Sequence, residues 1–220
     1  EDTYLRLDKD LAEFITYVEE KVGKENVLFF LTADHGAVPV PQFLMDNGKS
    51  GGYFNVEELE EELKPVMEKH FGSQNLIENI SNYQVFLNHS EIEKMGLEKR
   101  NICRVIEKFL SSKAGVAKAF CSDDEHKKSK DELPYIQAFN GHNEERSGDV
   151  LFVLEHGWIE EYGDVHQGTT HGSPYEYDTH VPMLWYGWNI ETGETTKKTV
   201  IPDIAVTIAD LLKIPAPDKA

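Results

Sequence analysis

The 220-residue chain carries 40 acidic against 22 basic residues, a formal charge of −18, so phosphates would be repelled across most of its surface and binding to a nucleic-acid duplex is disfavoured. Its length suits one domain with a sizeable core and room for a second small lobe, and no apolar stretch approaches the roughly 20 residues that would span a membrane. Cys103 and Cys121 lack metal-like spacing and read as buried thiols, with a single disulfide as the alternative.

In chain order, Leu7, Leu11, Phe14, Ile15, Val18 and Val22 form a stripe at helical spacing that ends at Gly23. The run Val27-Leu28-Phe29-Phe30-Leu31-Thr32 has no polar alternation and reads as a strand buried on both faces. Helix, glycine turn and strand make half of a βαβ crossover, so parallel neighbours are expected from outside this chain. Between about residues 54 and 136 the pattern changes to an inserted α+β lobe. Val56, Leu59, Leu63, Val66 and Met67 form one helical stripe, interrupted by Pro65, and Ile102, Val105, Ile106, Phe109 and Leu110 form another. Tyr83–Leu87 and Val116–Phe120 are candidate strands there, and the charge run from Asp123 to Lys130 reads as an exposed loop. Gly148–Glu155 and Val181–Tyr186 are further strands. A last helix covers Ile204–Leu212, with Pro202 near its first turn and Asp203 as its cap. The class is α/β.

Asp34 and His35 leave the first strand side by side. Ligands of open α/β sheets bind at carboxyl ends of strands, and a carboxylate beside an imidazole suits zinc or manganese. A helix cap or a hydrogen-bonded turn is the plainer use of such a dipeptide. Among the other histidines, His166, His171 and His180 are chemically eligible metal ligands. Arg146, just before the strand at Gly148, suits an ion pair with Asp149 or a loop carboxylate, or a phosphate.

The sequence Thr32-Ala33-Asp34-His35-Gly36, with a later Thr170-His171-Gly172, then His180-Val181-Pro182 and an apolar strand ending at Gly187, resembles the alkaline phosphatase superfamily. Within it, the resemblance is to bacterial PafA-like alkaline phosphatases and their type I phosphodiesterase/nucleotide pyrophosphatase relatives. It implies a core of mostly parallel sheet with flanking helices, formed here by residues 1–53 and 137–220, around the inserted lobe 54–136. It also implies two zinc ions a few ångström apart, with Asp34 and His35 on the ion that touches a Thr or Ser nucleophile and His171 on the other. Asp178 and His180 are expected to support a ligand by hydrogen bonding.

The family's nucleophile and remaining ligands lie upstream of the Asp-His-Gly motif. The chain is therefore expected to be the C-terminal part of a longer enzyme, inactive by itself. The implied reaction is hydrolysis of a small phosphate monoester through a phosphoenzyme, in a periplasmic or secreted protein. A phosphodiesterase or nucleotide pyrophosphatase, a cofactor-independent phosphoglycerate mutase and a non-catalytic α/β module are the alternatives. The last of these expects Asp34, His35 and His171 to lie apart.

Overall fold

The computed structural model describes residues 1–123, 135–161 and 168–217. In chain order its elements begin with α1 (Asp2–Val22), β1 (Leu28–Thr32), α2 (Pro41–Asp46), β2 (Gly52–Phe54), α3 (Val56–Phe71), β3 (Ile77–Ser81), β4 (Gln84–Leu87) and α4 (His89–Met95). They continue with α5 (Lys99–Leu110), β5 (Val116–Cys121), α6 (Tyr135–Asn140), β6 (Val150–Leu154), β7 (Trp158–Glu160), α7 (Glu176–Thr179), β8 (Met183–Gly187) and α8 (Asp203–Leu212). The chain divides into two compact units, Glu1–Ala33 with Pro182–Ala220, and Asp34–Val181. The expected lobe limits near 53 and 137 both fall inside the second unit.

The second unit is built on an antiparallel sheet of order β3-β4-β6-β5. Its central strand β6, Val150-Leu151-Phe152-Val153-Leu154, is buried at every position. Alternation along the strand sends successive side chains to opposite faces. Val150, Phe152 and Leu154 join the larger core, and Leu151 and Val153 pack with Phe120 in a smaller one. The larger core is closed by the two stripes that the periodicity picked out. Leu63 and Met67 of α3 and Ile102, Ile106 and Leu110 of α5 are all fully buried, each contributing roughly 1.5–3 kcal/mol over exposure.

β3 escaped the sequence reading. It pairs with β4 through a two-residue connection in which Asn82 and Tyr83 have φ of 51° and 59°, the double left-handed geometry of a type I′ hairpin. Tyr83 is an unusual occupant, but its ring packs edge-on against Phe152 at 5.7 Å, which holds it there. A third sheet pairs β2 with β7 in parallel, and this is the one parallel pairing among the described residues. With this parallel pair beside antiparallel ones, the described strands and helices form a mixed α/β arrangement.

Both cysteines are buried and unbridged. Cys103 lies 3.8 Å from the carbonyl oxygen of Asp149, and that aspartate ties the sheet to two helices. Asp149 Oδ2 accepts the Leu87 N–H at 2.9 Å and lies 3.0 Å from His89 Nε2. Its Oδ1 faces Lys99 Nζ at 3.1 Å, and Lys99 also reaches Asp123 at 2.8 Å. Burial alone would lower the Lys99 pKa; hydrogen bonds to Asp123 and Asp149 outweigh it and raise it above its ordinary value. A raised folded pKa gives stability that is full below the unfolded value and is lost as pH climbs through the folded one. The cation facing Asp149 is therefore Lys99, with His89 beside it. Arg146 is exposed, and His89 is part of the cluster.

In the first unit, α1 ends at Gly23 as its stripe predicts, with φ of 86° at the glycine. Phe14 meets Phe29 edge-on at 6.1 Å. β1 pairs with β8 antiparallel, Phe30 opposite Trp185. The expectation of a strand covered on both faces is not met among the described residues. Phe30 and Leu31 are 45% and 43% exposed, and Leu184 of β8 is 58% exposed. At the last helix, Asp203 is its first residue rather than a cap, and its Oδ2 accepts the Val200 N–H at 2.9 Å.

Asp149→Ala leaves the Leu87 N–H unpaired and Lys99 with one partner, and is predicted to cost about 3 kcal/mol of stability in urea titrations. Arg146→Ala should stay within about 0.5 kcal/mol of the parent. The apolar side chains that β1 and β8 leave exposed on both faces among the described residues predict binding of a hydrophobic dye such as anilinonaphthalene sulfonate by the folded chain, with the fluorescence falling when Phe30 on one face and Leu184 on the other are both replaced by glutamate.

Candidate metal centre

Asp34, His35, His171, Asp178 and His180 all lie in the second unit. Two loops carry them, and main-chain contacts hold these loops together. Gly36 N–H donates to the Asp178 carbonyl at 2.7 Å, and Val38 N–H donates to that of Thr170 at 3.1 Å. Thr169 Oγ1 donates in turn to the Val38 carbonyl. The approach at Gly36 is so close that an added Cβ would sit 1.9 Å from the Tyr177 carbonyl oxygen. Only glycine lets two backbones meet in this way.

The seam brings the imidazoles of His35 and His171 into a face-to-face stack, centroids 3.4 Å apart and planes within 11°. His35 Nδ1 lies 2.7 Å from the Gly36 carbonyl. A carbonyl can only accept, so Nδ1 carries the proton and the Nε2 lone pair is left for a ligand. Nε2 lies 3.6 Å from Asp34 Oδ2. Two donors on one tetrahedral zinc, at bond lengths near 2.05 and 2.1 Å, stand about 3.4 Å apart. Asp34 and His35 are thus spaced as two ligands of a single ion.

His171 is placed otherwise. An ion midway between parallel rings 3.4 Å apart would lie about 55° out of each ring plane at a normal zinc–nitrogen distance, far from either lone pair. The stacked rings therefore suit two adjacent ions, one per imidazole, and not one shared ion. Asp34 is exposed and His35 half-buried, so the donors face open space. Among the described residues, no group of three or more His, Cys, Asp or Glu side chains is placed to hold a metal ion. The donor set fits a pair of partial sites in chemistry and spacing, and the four ligands of a closed zinc site are not all supplied by these residues.

Asp178 is 4% exposed. Its Oδ2 accepts the Ser173 N–H at 2.7 Å, which fixes the turn after His171. Its Oδ1 is buried with no partner among the described residues. His180 follows the short helix α7, exposed, with its N–H on the Glu176 carbonyl at 2.9 Å. It is not brought against His35 or His171. Tyr175, Tyr177 and His156 form an aromatic cluster beneath the loop, with centroid separations of 5.6, 5.2 and 4.9 Å. Burial pushes the Tyr177 phenol above its ordinary pKa, opposed by hydrogen bonds from Ser173 and the Gly157 backbone. His166 and most of the 123–130 charge run lie outside the described residues. Ser173 as a support of the loop went unread in the sequence; its only signal was its position two residues after His171.

The chain matches the model of the type I phosphodiesterase / nucleotide pyrophosphatase family over residues 1–174. It is 36% identical over 220 residues to the alkaline phosphatase PafA of Elizabethkingia meningoseptica, covering 100% of this chain and 40% of that protein. It is 36% identical over 217 residues to the alkaline phosphatase PhoV of Synechococcus elongatus, covering 99% and 38%. A protein of Myroides odoratus described as a calcium-transporting ATPase is 38% identical over 218 residues, covering 99% and 40%. The chain thus spans about 40% of the length of these relatives. Among solved structures, wild-type PafA superposes with a TM-score of 0.88 at 35% identity over 99% of this chain and 41% of that one. Its α/β fold is that of the alkaline phosphatases, and the chain belongs to the type I phosphodiesterase / nucleotide pyrophosphatase family of hydrolases.

Proposed function

We propose that this chain carries part of the metal centre of a zinc-dependent alkaline-phosphatase-like enzyme that hydrolyses phosphate monoesters in the periplasm or outside the cell. The observation that carries this reading is the 3.6 Å separation of Asp34 Oδ2 and His35 Nε2 beside the stacked ring of His171. Asp34 and His35 would hold one zinc and His171 the other. When bound, the two ions supply Lewis acidity at the phosphoryl group and at the entering and leaving oxygens.

The residues present have positioning roles. The Gly36 carbonyl holds His35 in one tautomer, Asp178 fixes the turn behind His171 through Ser173, and the Gly36–Asp178 bond sets the distance between the loops. No Ser-His-Asp or Cys-His arrangement is needed, because a Thr or Ser nucleophile placed by the metals requires no side-chain base. That nucleophile is assigned to a part of the enzyme outside these 220 residues, as are the remaining ligands.

The family match favours phosphodiester or nucleotide pyrophosphate cleavage as the second reading. The PafA and PhoV relatives, both alkaline phosphatases, favour monoesters. A non-catalytic module is the poorer reading, since it expects the three side chains to serve separate loops.

After equilibration with zinc and dialysis, elemental analysis of this chain should find less than one tightly held ion, with no hydrolysis of p-nitrophenyl phosphate. Asp34→Ala should weaken the residual zinc uptake by about tenfold. Two ions per chain with Asp34-dependent turnover would sink the partial-site assignment. Separately, Gly36→Ala should cost about 2 kcal/mol in urea titrations, because backbone must move to admit the methyl group, and should lower zinc uptake in parallel. A neutral Gly36→Ala would mean that the two loops do not need this contact.

A further inference from the structure

The turn that carries His171 is gripped at Ser173. Asp178 Oδ2 accepts the Ser173 N–H at 2.7 Å, Ser173 Oγ accepts the Tyr175 N–H at 3.4 Å, and a side-chain hydrogen bond joins Ser173 to the Tyr177 phenol. The two phenols continue the path to the sheet. Tyr175 Oη donates to the Leu154 carbonyl at 2.9 Å, and the Gly157 N–H donates to Tyr177 Oη at 3.4 Å. Leu154 ends β6, which is buried at every position, and Gly157 lies in the turn that leads to β7. His156 stands in the same turn, its ring edge-on to Tyr175 and Tyr177 at centroid separations of 5.2 and 4.9 Å. The support of His171 can thus be followed bond by bond from the sheet.

Tyr177 differs from Tyr175 in having its main chain at the other half of the site. The Tyr177 carbonyl oxygen is the atom that an added Cβ at Gly36 would meet at 1.9 Å, and the next carbonyl, that of Asp178, accepts the Gly36 N–H. Gly36 in turn holds His35 Nδ1 through its own carbonyl, 2.7 Å away. One residue therefore touches both routes, by its phenol toward Ser173 and His171 and by its backbone toward Gly36 and His35. The two imidazoles, centroids 3.4 Å apart, stand at van der Waals contact, so a small displacement along either route offsets the rings. Packing against Tyr175 and His156 needs only the aromatic ring of Tyr177; the bonds to Ser173 and Gly157 need its oxygen.

We propose that Tyr177 is a positioning residue of the metal centre, whose phenol fixes His171 through Ser173 and thereby sets the offset between the His171 and His35 imidazoles. Resting on the zinc reading above, loss of the phenol oxygen also weakens metal uptake, since groups behind a ligand that orient it are worth about 10–100-fold in affinity. The placement of the rings is a property of the metal-free chain.

The test uses Tyr177→Phe, which keeps the ring against its aromatic neighbours and removes both bonds at the oxygen. Tyr83→Phe is the control, because the Tyr83 phenol likewise accepts a backbone N–H at 3.4 Å, that of Glu160 in β7 and not one of the loop carrying His171. In proton spectra of the metal-free chain at about pH 8.5, above the ordinary imidazole range, the facing ring shifts the ring protons of His35. That shift is the difference between the parent and His171→Gln. It should fall by about half or more when measured in the Tyr177→Phe background and keep its parental value in the Tyr83→Phe background. Zinc affinity, read by competition with a chromophoric chelator, should drop about tenfold in Tyr177→Phe and less than about twofold in Tyr83→Phe. Ser173→Ala cuts the link between the phenol and the turn and should reduce the ring shift in the same way, so a decision remains if Tyr177→Phe fails to fold. No His171-dependent shift in the parent, an undiminished shift in the folded variants, or an equal loss in Tyr83→Phe would overturn the proposal. A chain that takes up no zinc but shows the Tyr177-dependent shift would count against the zinc assignment and uphold the positioning role.

Discussion

The candidate metal centre depends on one seam of main-chain contact. The Gly36 and Val38 N–H groups of one segment donate to the Asp178 and Thr170 carbonyls of the other, and the seam closes only because residue 36 has no side chain. Backbone contacts of this kind are insensitive to most side-chain identities and cannot slide by small amounts, since each bond has a narrow range of length and angle. Two histidines far apart in sequence are therefore brought into a stack, and the Thr169 hydroxyl adds a side-chain tie to the Val38 carbonyl. Asp178 adds a second tie from the same loop, and the aromatic cluster of Tyr175, Tyr177 and His156 lies beneath it.

The same unit uses a buried carboxylate in a different way. Asp149 has both oxygens engaged, by Leu87, His89 and Lys99, whereas Asp178 has one oxygen engaged and one without a hydrogen-bond partner among the described residues. Both are nearly sealed from water. A fully satisfied buried carboxylate makes a structural joint; a half-satisfied one is costly unless something completes it.

Local features of the fold were legible in the sequence. The stripes of α1, α3 and α5 follow from helical spacing, and β6 from an apolar run that is indeed covered on both sides. β1 shows the limit of that inference: the same kind of run is half exposed, because burial depends on neighbours that the run itself does not name. β3 was missed because Glu78 and Asn79 break its pattern and because the Asn82-Tyr83 turn lacks the glycine that marks most such hairpins. β2 and β7 are three residues each and pair across a long stretch of chain, which no local pattern records. At the candidate site, the residue types at 34, 35 and 171 were readable from their motifs. Their stacking, the tautomer of His35 and the hydrogen bonding of Asp178 were not, because each depends on which distant backbone atom lies opposite.

The two-stranded pairing of β1 with β8 has a consequence beyond its apolar side chains. With order β1-β8, each strand uses one of its two margins for pairing among the described residues. The other margin is a row of alternating N–H and C=O groups, and such a row is a template on which a further extended segment can be laid in register. What this part of the chain offers is therefore directional as well as greasy: it specifies the spacing and the strand alignment of whatever lies alongside it.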